Sequence, residues 1–410
     1  MGAVLPLAGV LALASCSSGA APEPAASTSA APSAGSAPSQ NSVTVTPSPS
    51  RPPSASAVPL ASSPISACVR QHLEQLSLSE RAGQLLMIGV PASRAQNGAT
   101  VVARYRVGGI FLSGRSSASL TTIKGRTGAL NRAAGNGPGL LIATDQEGGA
   151  VQVLGGRGFT AIPAALTQGS WSQGTLRART LRWARALAGA GISMDLAPVA
   201  DTVTAARAPG NPPIGRYRRE YGHTTKDVVS AVTTVVQSLA AARVVATVKH
   251  FPGLGRVRFN TDTSAGASDS VTTADDIYLR PFVAGIQAGA GAVMVSSARY
   301  PKLDAKHIAA FSQPIITGLL RERLGYRGVV ISDDLGRARA VSGVPAAQRA
   351  VRFLRAGGDI VLSVRTADAR TMRNALVAEA RASATFKATL DAAVVRVLQL
   401  KERAGLLGCS

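Results

Sequence analysis

The 410-residue chain is poor in cysteine (3), histidine (4) and aromatic side chains (4%), and it carries half as many acidic as basic residues, 22 against 44. With so few cysteines and histidines, no zinc-finger spacing, His-x-x-x-His pair or clustered cysteine pattern occurs, so a structural or catalytic metal site is not expected. The aromatic deficit removes the aromatic-rich signature of RNA-binding modules, and no basic helix with heptads is present. No apolar run approaches the 18 residues of a membrane-spanning helix, which excludes integral membrane transport. No Gly-x-Gly-x-x-Gly opens a helix after a first strand, so the dinucleotide fingerprint of an open doubly wound sheet is missing. The shortage of acids leaves a formal charge of +22. Spread over a solvated surface, that charge favours anionic partners such as cell-wall polymers, while nucleic acid is not expected as a partner.

What the chain does hold is apolar surface: 46% hydrophobic against 16% charged residues, enough for one large domain with a sizeable core. Residues 1–16 form a short apolar stretch ending in small residues, and Leu13-Ala14-Ser15-Cys16 resembles a bacterial lipobox. That resemblance implies cleavage before Cys16 and a diacylglyceryl anchor on its sulfur, holding the protein on the outer face of a membrane, since two lipid chains suffice for stable anchoring. Residues 17–66 are almost entirely Ala, Ser, Pro, Thr and Gly, with Glu23 and Arg51 the only charges. Such a segment cannot bury enough apolar surface to fold and reads as a tether. Cys68 and Cys409 flank the remaining region, 67–410. They either stay free or, as an exported compartment permits, form a disulfide closing a very long loop.

Within that region eight short β-branched runs, at 85–90, 109–112, 140–145, 193–199, 244–251, 292–297, 329–333 and 360–364, alternate with segments of helical spacing such as 180–189, 227–242, 280–288 and 346–356. Eightfold alternation predicts a parallel sheet closed into a (β/α)8 TIM barrel, a single catalytic domain with its chemistry at the C-terminal ends of the strands.

Several runs end in polar residues at that edge. The seventh reads Val329-Val330-Ile331-Ser332-Asp333-Asp334, and period-two alternation groups Val329, Ile331 and Asp333 on one face, so Asp333 points into the mouth if the valine and isoleucine fill the barrel. Asp334, nearer the turn, suits a capping role. The fifth delivers Lys249 and His250, followed by a loop with Asp262, Asp269, Asp275 and Asp276; a long loop at this edge is usually functional. Lys249 is either a Schiff-base amine or a fixed cation for sugar hydroxyls. His72, His223 and His307 sit in polar sequence surroundings, where surface or capping roles are expected. The third run ends Asp145-Gln146-Glu147-Gly148-Gly149; its two carboxylates face one way in an extended chain, with metal binding only weakly supported.

Asp145-Gln146-Glu147-Gly148-Gly149, Lys249-His250-Phe251-Pro252-Gly253 and Ser332-Asp333-Asp334-Leu335, in this order on strands three, five and seven, resemble glycoside hydrolase family 3 and within it the single-domain β-N-acetylhexosaminidase branch. Leu196-Ala197-Pro198-Val199-Ala200-Asp201 and Asn211-Pro212-Pro213-Ile214-Gly215 add landmarks after strand four. The resemblance implies a retaining exo-β-N-acetylglucosaminidase without cofactor, monomeric, removing terminal N-acetylglucosamine from cell-wall fragments. It implies Asp333 as nucleophile, Asp145 as holder of sugar hydroxyls, and Lys249, His250 and Arg219 as sugar-binding residues. Leu254 and Val153 stand where better-known members carry a histidine and an arginine. The branch also ends the loop after strand five with Asp-Ser-His, whose histidine is the general acid, whereas this chain reads Asn260-Thr261-Asp262. A carboxylic acid with a raised pKa is the commonest donor in glycosidases, so Asp262 is expected as acid/base, oriented by Asn260, approaching Asp333 to about 5 Å. A sugar-binding protein without catalysis, a phosphate-using variant and a Lys249 lyase are the alternatives.

Overall fold

The computed structural model describes residues 65–409. The lipobox with Cys16 and nearly all of the tether expected at 17–66 lie outside the described residues. Eight parallel strands form the centre: β1 (Leu86–Pro91), β2 (Gly109–Ser113), β3 (Leu141–Thr144), β4 (Met194–Asp195), β5 (Val245–Phe251), β6 (Ala292–Val295), β7 (Val329–Ser332) and β8 (Val361–Ser363). Their order is β7-β6-β5-β4-β3-β2-β1-β8. A parallel bridge between Ile331 and Ile360, with the Ser332 N–H donating to the Ile360 carbonyl at 2.9 Å, brings β7 to β8 and closes the (β/α)8 barrel. All eight β-branched runs become strands at the expected places. The fourth shrinks most, from 193–199 to two residues, because Pro198 has no N–H to give to a ladder.

Val329, Val330, Ile331 and Ser332 are all buried, as a parallel strand must be when the barrel fills one face and helices cover the other. The surrounding helices start where the sequence supplies a capping oxygen. Ser119, Ser172 and Thr224 each accept a bond from the backbone N–H three residues on, at the heads of Leu120–Ala134, Gln173–Gly189 and Thr225–Ala241. Among the described residues no helix is long and apolar enough to cross a membrane.

The two ends of the described chain are clasped together. The helix Ala67–Gln75 packs on the last helix, Ala384–Arg403, and Ser66 Oγ donates to Glu402 at 2.5 Å. A disulfide joins Cys68 to Cys409 across 341 residues of sequence. His72 lies one turn after Cys68 on the same helix face, within 4.8 Å of both sulfurs. The sequence-based surface role for His72 is therefore corrected: the helix turns it inward and it is buried, whereas His307 stays exposed beside Asp304.

Replacing both Cys68 and Cys409 with serine is expected to lower unfolding free energy by about 2–5 kcal/mol, because a bridge over so long a loop restricts the unfolded chain most. Urea denaturation of the oxidised protein and the double variant measures the difference; coincident curves would show that helix packing alone holds the termini.

Candidate active site

The C-terminal ends of the strands surround a cavity of about 340 Å³. β5 supplies its two basic groups. The ladder between β5 and β6 shifts register between Val248 and Phe251, which breaks the simple alternation, and the consecutive side chains of Lys249 and His250 both line the cavity. Lys249 Nζ lies 2.6 Å from Asp145 Oδ1 and 2.6 Å from Glu147 Oε1. Asp145 follows β3, and Glu147 sits in a short antiparallel ribbon, Gln146–Gly148 with Val151–Gln152, that folds back over the barrel end. The ribbon's turn needs Gly148 and Gly149, both at positive φ, where a Cβ would come within 2.3 Å and 2.9 Å of neighbouring atoms.

Glu147 also takes Arg219 in a two-pronged pair, Nε to Oε2 at 2.8 Å and Nη2 to Oε1 at 2.7 Å, while Arg219 Nη1 donates to the Pro213 carbonyl at 2.7 Å. Burial alone would raise the Glu147 pKa, but Arg219 and Lys249 overcome it and hold the carboxyl at about 2. Burial would likewise depress Lys249, yet Asp145 and Glu147 outweigh it and push its pKa up. Lys249 is therefore a fixed ammonium. A Schiff-base amine needs the opposite shift, so the geometry favours the fixed-cation role.

His250 is held from behind. Its Nδ1 lies 2.8 Å from Asp201 Oδ2, and Asp201 Oδ1 accepts the Leu254 N–H at 2.7 Å. Arg219 Nη2 stands 3.5 Å from His250 Nε2, on the opposite side of the ring from Asp201. Asp195, buried beneath the ribbon, accepts the Gln146 N–H at 3.0 Å, and burial pushes its carboxyl up to about 7.

Asp333, at the end of β7, and Asp262, on the loop after β5, line the same cavity. Asp333 is half-buried, and its Oδ1 accepts the Asp334 N–H at 2.8 Å. Asp334 also borders the cavity, but its carboxylate accepts the N–H groups of Gly336, Arg337 and Val364 at 2.7, 2.9 and 3.0 Å, so it fixes the turn rather than capping a helix, the next helical segment starting only at Arg339. The flap carrying Asp262 docks on the segment after β7: Arg339 N–H donates to the Asp262 carbonyl at 3.1 Å and Ala340 N–H to the Thr261 carbonyl at 3.0 Å. Asp262 is exposed to solvent overall while lining the cavity. Burial there, then Asp333 and Asp334, raise its pKa to about 6. Asn260 acts differently from expectation. Its Oδ1 accepts the Asp262 backbone N–H at 2.8 Å, so it positions the chain rather than the carboxyl.

The loop's other aspartates serve structure: Asp269 accepts Val271 and Thr272 N–H groups, Asp275 pairs with Arg323, and Asp276 pairs with Arg256. Leu254 lines the cavity with an apolar surface, and Val153 is buried away from its lining. Two residues of consequence were underrated from sequence, Glu147 as ion-pair centre and Asp201 as the histidine's partner. Their signal was charge balance, since two cations entering one buried mouth require buried anions.

The chain matches the family described as glycosyl hydrolase family 3 N terminal domain over residues 77–400. It is 37% identical over 267 residues to a β-hexosaminidase of Xanthomonas axonopodis pv. citri (strain 306), covering 62% of this chain and 76% of that protein. Its fold is similar to the crystal structure of a β-N-acetylhexosaminidase from Beutenbergia cavernae DSM 12333, with a TM-score of 0.77 and 45% identity over 80% of this chain and 99% of that one. A family 3 β-N-acetylglucosaminidase from Paenibacillus sp. str. FPU-7 gives a TM-score of 0.74 and 31% identity over 82% of this chain and 64% of that one.

Glu147→Gln removes the anion shared by Lys249 and Arg219, and about 3–5 kcal/mol of stability is expected to go with it, because uncompensated charge is left buried. Chemical denaturation measures this. A loss below about 1 kcal/mol would show that Asp145 alone neutralises the cluster.

Proposed function

The chain belongs to glycosyl hydrolase family 3 and is a glycoside hydrolase, and from that premise we propose that it acts as a retaining exo-β-N-acetylglucosaminidase, releasing terminal β-linked N-acetylglucosamine. The observation that carries the reading is the meeting of Asp333 and Asp262 in one cavity with Asp145, Lys249, His250 and Arg219. Asp333 attacks the anomeric carbon as its bond to the leaving oxygen breaks, and protonated Asp262 gives its proton to that oxygen. The glycosyl ester on Asp333 is then opened by water, whose proton passes to the Asp262 carboxylate, so two inversions give retention. A carboxyl with a pKa of about 6 is suited to both halves, acid first and base afterwards. Lys249, Arg219 and Asp145 supply donors and an acceptor for ring hydroxyls. The hydrolase reading is favoured over simple sugar binding because a lectin has no use for a second carboxyl with a raised pKa beside the first.

The natural substrates in this reading are peptidoglycan fragments met outside the cell, with the protein anchored through a lipid on Cys16. The Leu13-Ala14-Ser15-Cys16 stretch supports the anchor, and the Cys68–Cys409 disulfide suits an oxidising compartment.

Asp333→Ala is expected to abolish phenol release from an aryl β-N-acetylglucosaminide, by about 10⁴-fold or more; an intact rate would remove Asp333 from the nucleophile role. Asp262→Asn should cost about 10²–10⁴-fold on poor leaving groups and much less on activated ones, since only the former need a proton. For the unaltered protein, kcat/KM on a poor leaving group should fall as pH rises through about 6, where Asp262 loses its proton, and that limb should vanish in Asp262→Asn. Product analysis with and without inorganic phosphate identifies the acceptor: free N-acetylglucosamine under both conditions means water, and a sugar phosphate would mean phosphorolysis.

A further inference from the structure

The clasp that joins the two ends of the described chain gathers more than its two sulfurs. Cys68 and His72 are one helical turn apart on Ala67–Gln75, so their side chains stand on a single face. The last helix ends at Arg403, and the segment after it brings Cys409 onto that face, 341 residues from Cys68 in sequence. One ligand atom from each of Cys68, His72 and Cys409 lies within 4.8 Å of the other two. Among the described residues no other three histidine, cysteine or carboxylate side chains converge in this way. Because the third member comes from the far end of the chain, no local spacing announces the group.

His72 is 9% exposed, and among the described residues its ring has no hydrogen-bond partner. The other three histidines are each tied: His223 Nδ1 lies 2.9 Å from the Val203 carbonyl, His250 Nδ1 2.8 Å from Asp201 and His307 Nδ1 3.0 Å from Asp304. A polar ring withdrawn from water and left unpaired is costly, which points to a partner that the protein itself does not supply. Joined in a bridge, the two sulfurs are poor ligands. As thiols they can lose their protons, and two thiolates with one imidazole make a donor set that suits zinc. Zn–S bonds of about 2.3 Å and a Zn–N bond of about 2.0 Å set tetrahedral ligand atoms about 3.5–3.8 Å apart, so small side-chain adjustments suffice to surround one ion. Helix packing and the bond from Ser66 to Glu402 hold the two ends together when the bridge is open. Cys68 is partly exposed and Cys409 exposed, which lets a reductant reach them.

We propose that this clasp is a redox-gated metal site: a disulfide when oxidised and, when reduced, a site where Cys68, Cys409 and His72 bind a zinc-class divalent cation, with water in the fourth position. A dithiol passes two electrons and two protons to the bridge, becoming a cyclic disulfide and leaving two thiols. The incoming cation then displaces both thiol protons to solvent, and the two thiolates balance its charge. None of the three residues lines the catalytic cavity, so the site stands independently of glycoside hydrolysis.

The test uses the full chain, stripped of metal with a chelator, reduced with a dithiol, freed of that dithiol by anaerobic gel filtration and titrated with Co²⁺. Thiolate ligation of Co²⁺ gives a sulfur-to-metal charge-transfer band in the near ultraviolet. The reduced protein is expected to show that band, saturating at a single Co²⁺ per chain, and Zn²⁺ should bleach it by displacement. The oxidised protein should show none. His72→Ala is expected to weaken Zn²⁺ binding about 100-fold, as loss of one of three protein ligands implies. Cys409→Ser should cut the band to half or less. Replacing a buried ring can loosen the helix, so the unaltered protein supplies a second reading: Zn²⁺ should raise the melting temperature of the reduced form and leave that of the oxidised form unchanged. A reduced protein without the band, or His72→Ala with unchanged Zn²⁺ affinity, overturns the site. A Zn²⁺-induced rise of equal size in both redox states would put the ion elsewhere in the molecule and overturn it as well.

Discussion

The mouth of this barrel is organised by one buried carboxylate. Glu147 lies between Lys249 and Arg219, within 2.6 Å of the first and bidentate to the second. Two cations could not share so enclosed a space without it, because the cost of removing each from water exceeds what exposed partners return. With the anion in place, both become fixed donors facing the cavity, and Asp145 completes the neutralisation of Lys249 while still lining the cavity wall. The geometry is enforced from several strands at once, which is how a barrel holds side chains distant in sequence to fixed positions.

The acid/base assignment follows from a different electrostatic situation. Asp262 has no ion-pair partner in the cavity; it faces Asp333 and Asp334 in a partly desolvated space, and each of those effects favours its neutral form. Placing a carboxyl close to other carboxyls raises its pKa to about 6, which suits the acid/base role proposed for it. The flap's two backbone bonds to Arg339 and Ala340 make the placement of Asp262 depend on the segment that follows Asp333 after β7.

Much of the architecture was legible from residue order. Eight β-branched runs alternating with helical spacing specify a closed parallel barrel, because parallel strands need covering helices and each run is too short for anything else. Asp333 could be placed at the mouth from the alternation Val329, Ile331, Asp333 alone. That logic did not extend to Lys249 and His250, since a register shift in β5 puts neighbours on the same cavity. It also misjudged His72, whose burial depends on a helix more than three hundred residues away in the chain.

Sequence by itself determined the strand and helix periods, the identity of the carboxylates and cations at the strand ends, and the missing loop histidine, all of which are local properties of residue type and spacing. Only the tertiary structure decided which acid meets which base: Glu147 as well as Asp145 for Lys249, Asp201 for His250, and, among the described residues, no ion-pair partner for Asp262. Charge neutralisation and desolvation act through space over a few ångströms, and those distances exist only after eight strands have closed.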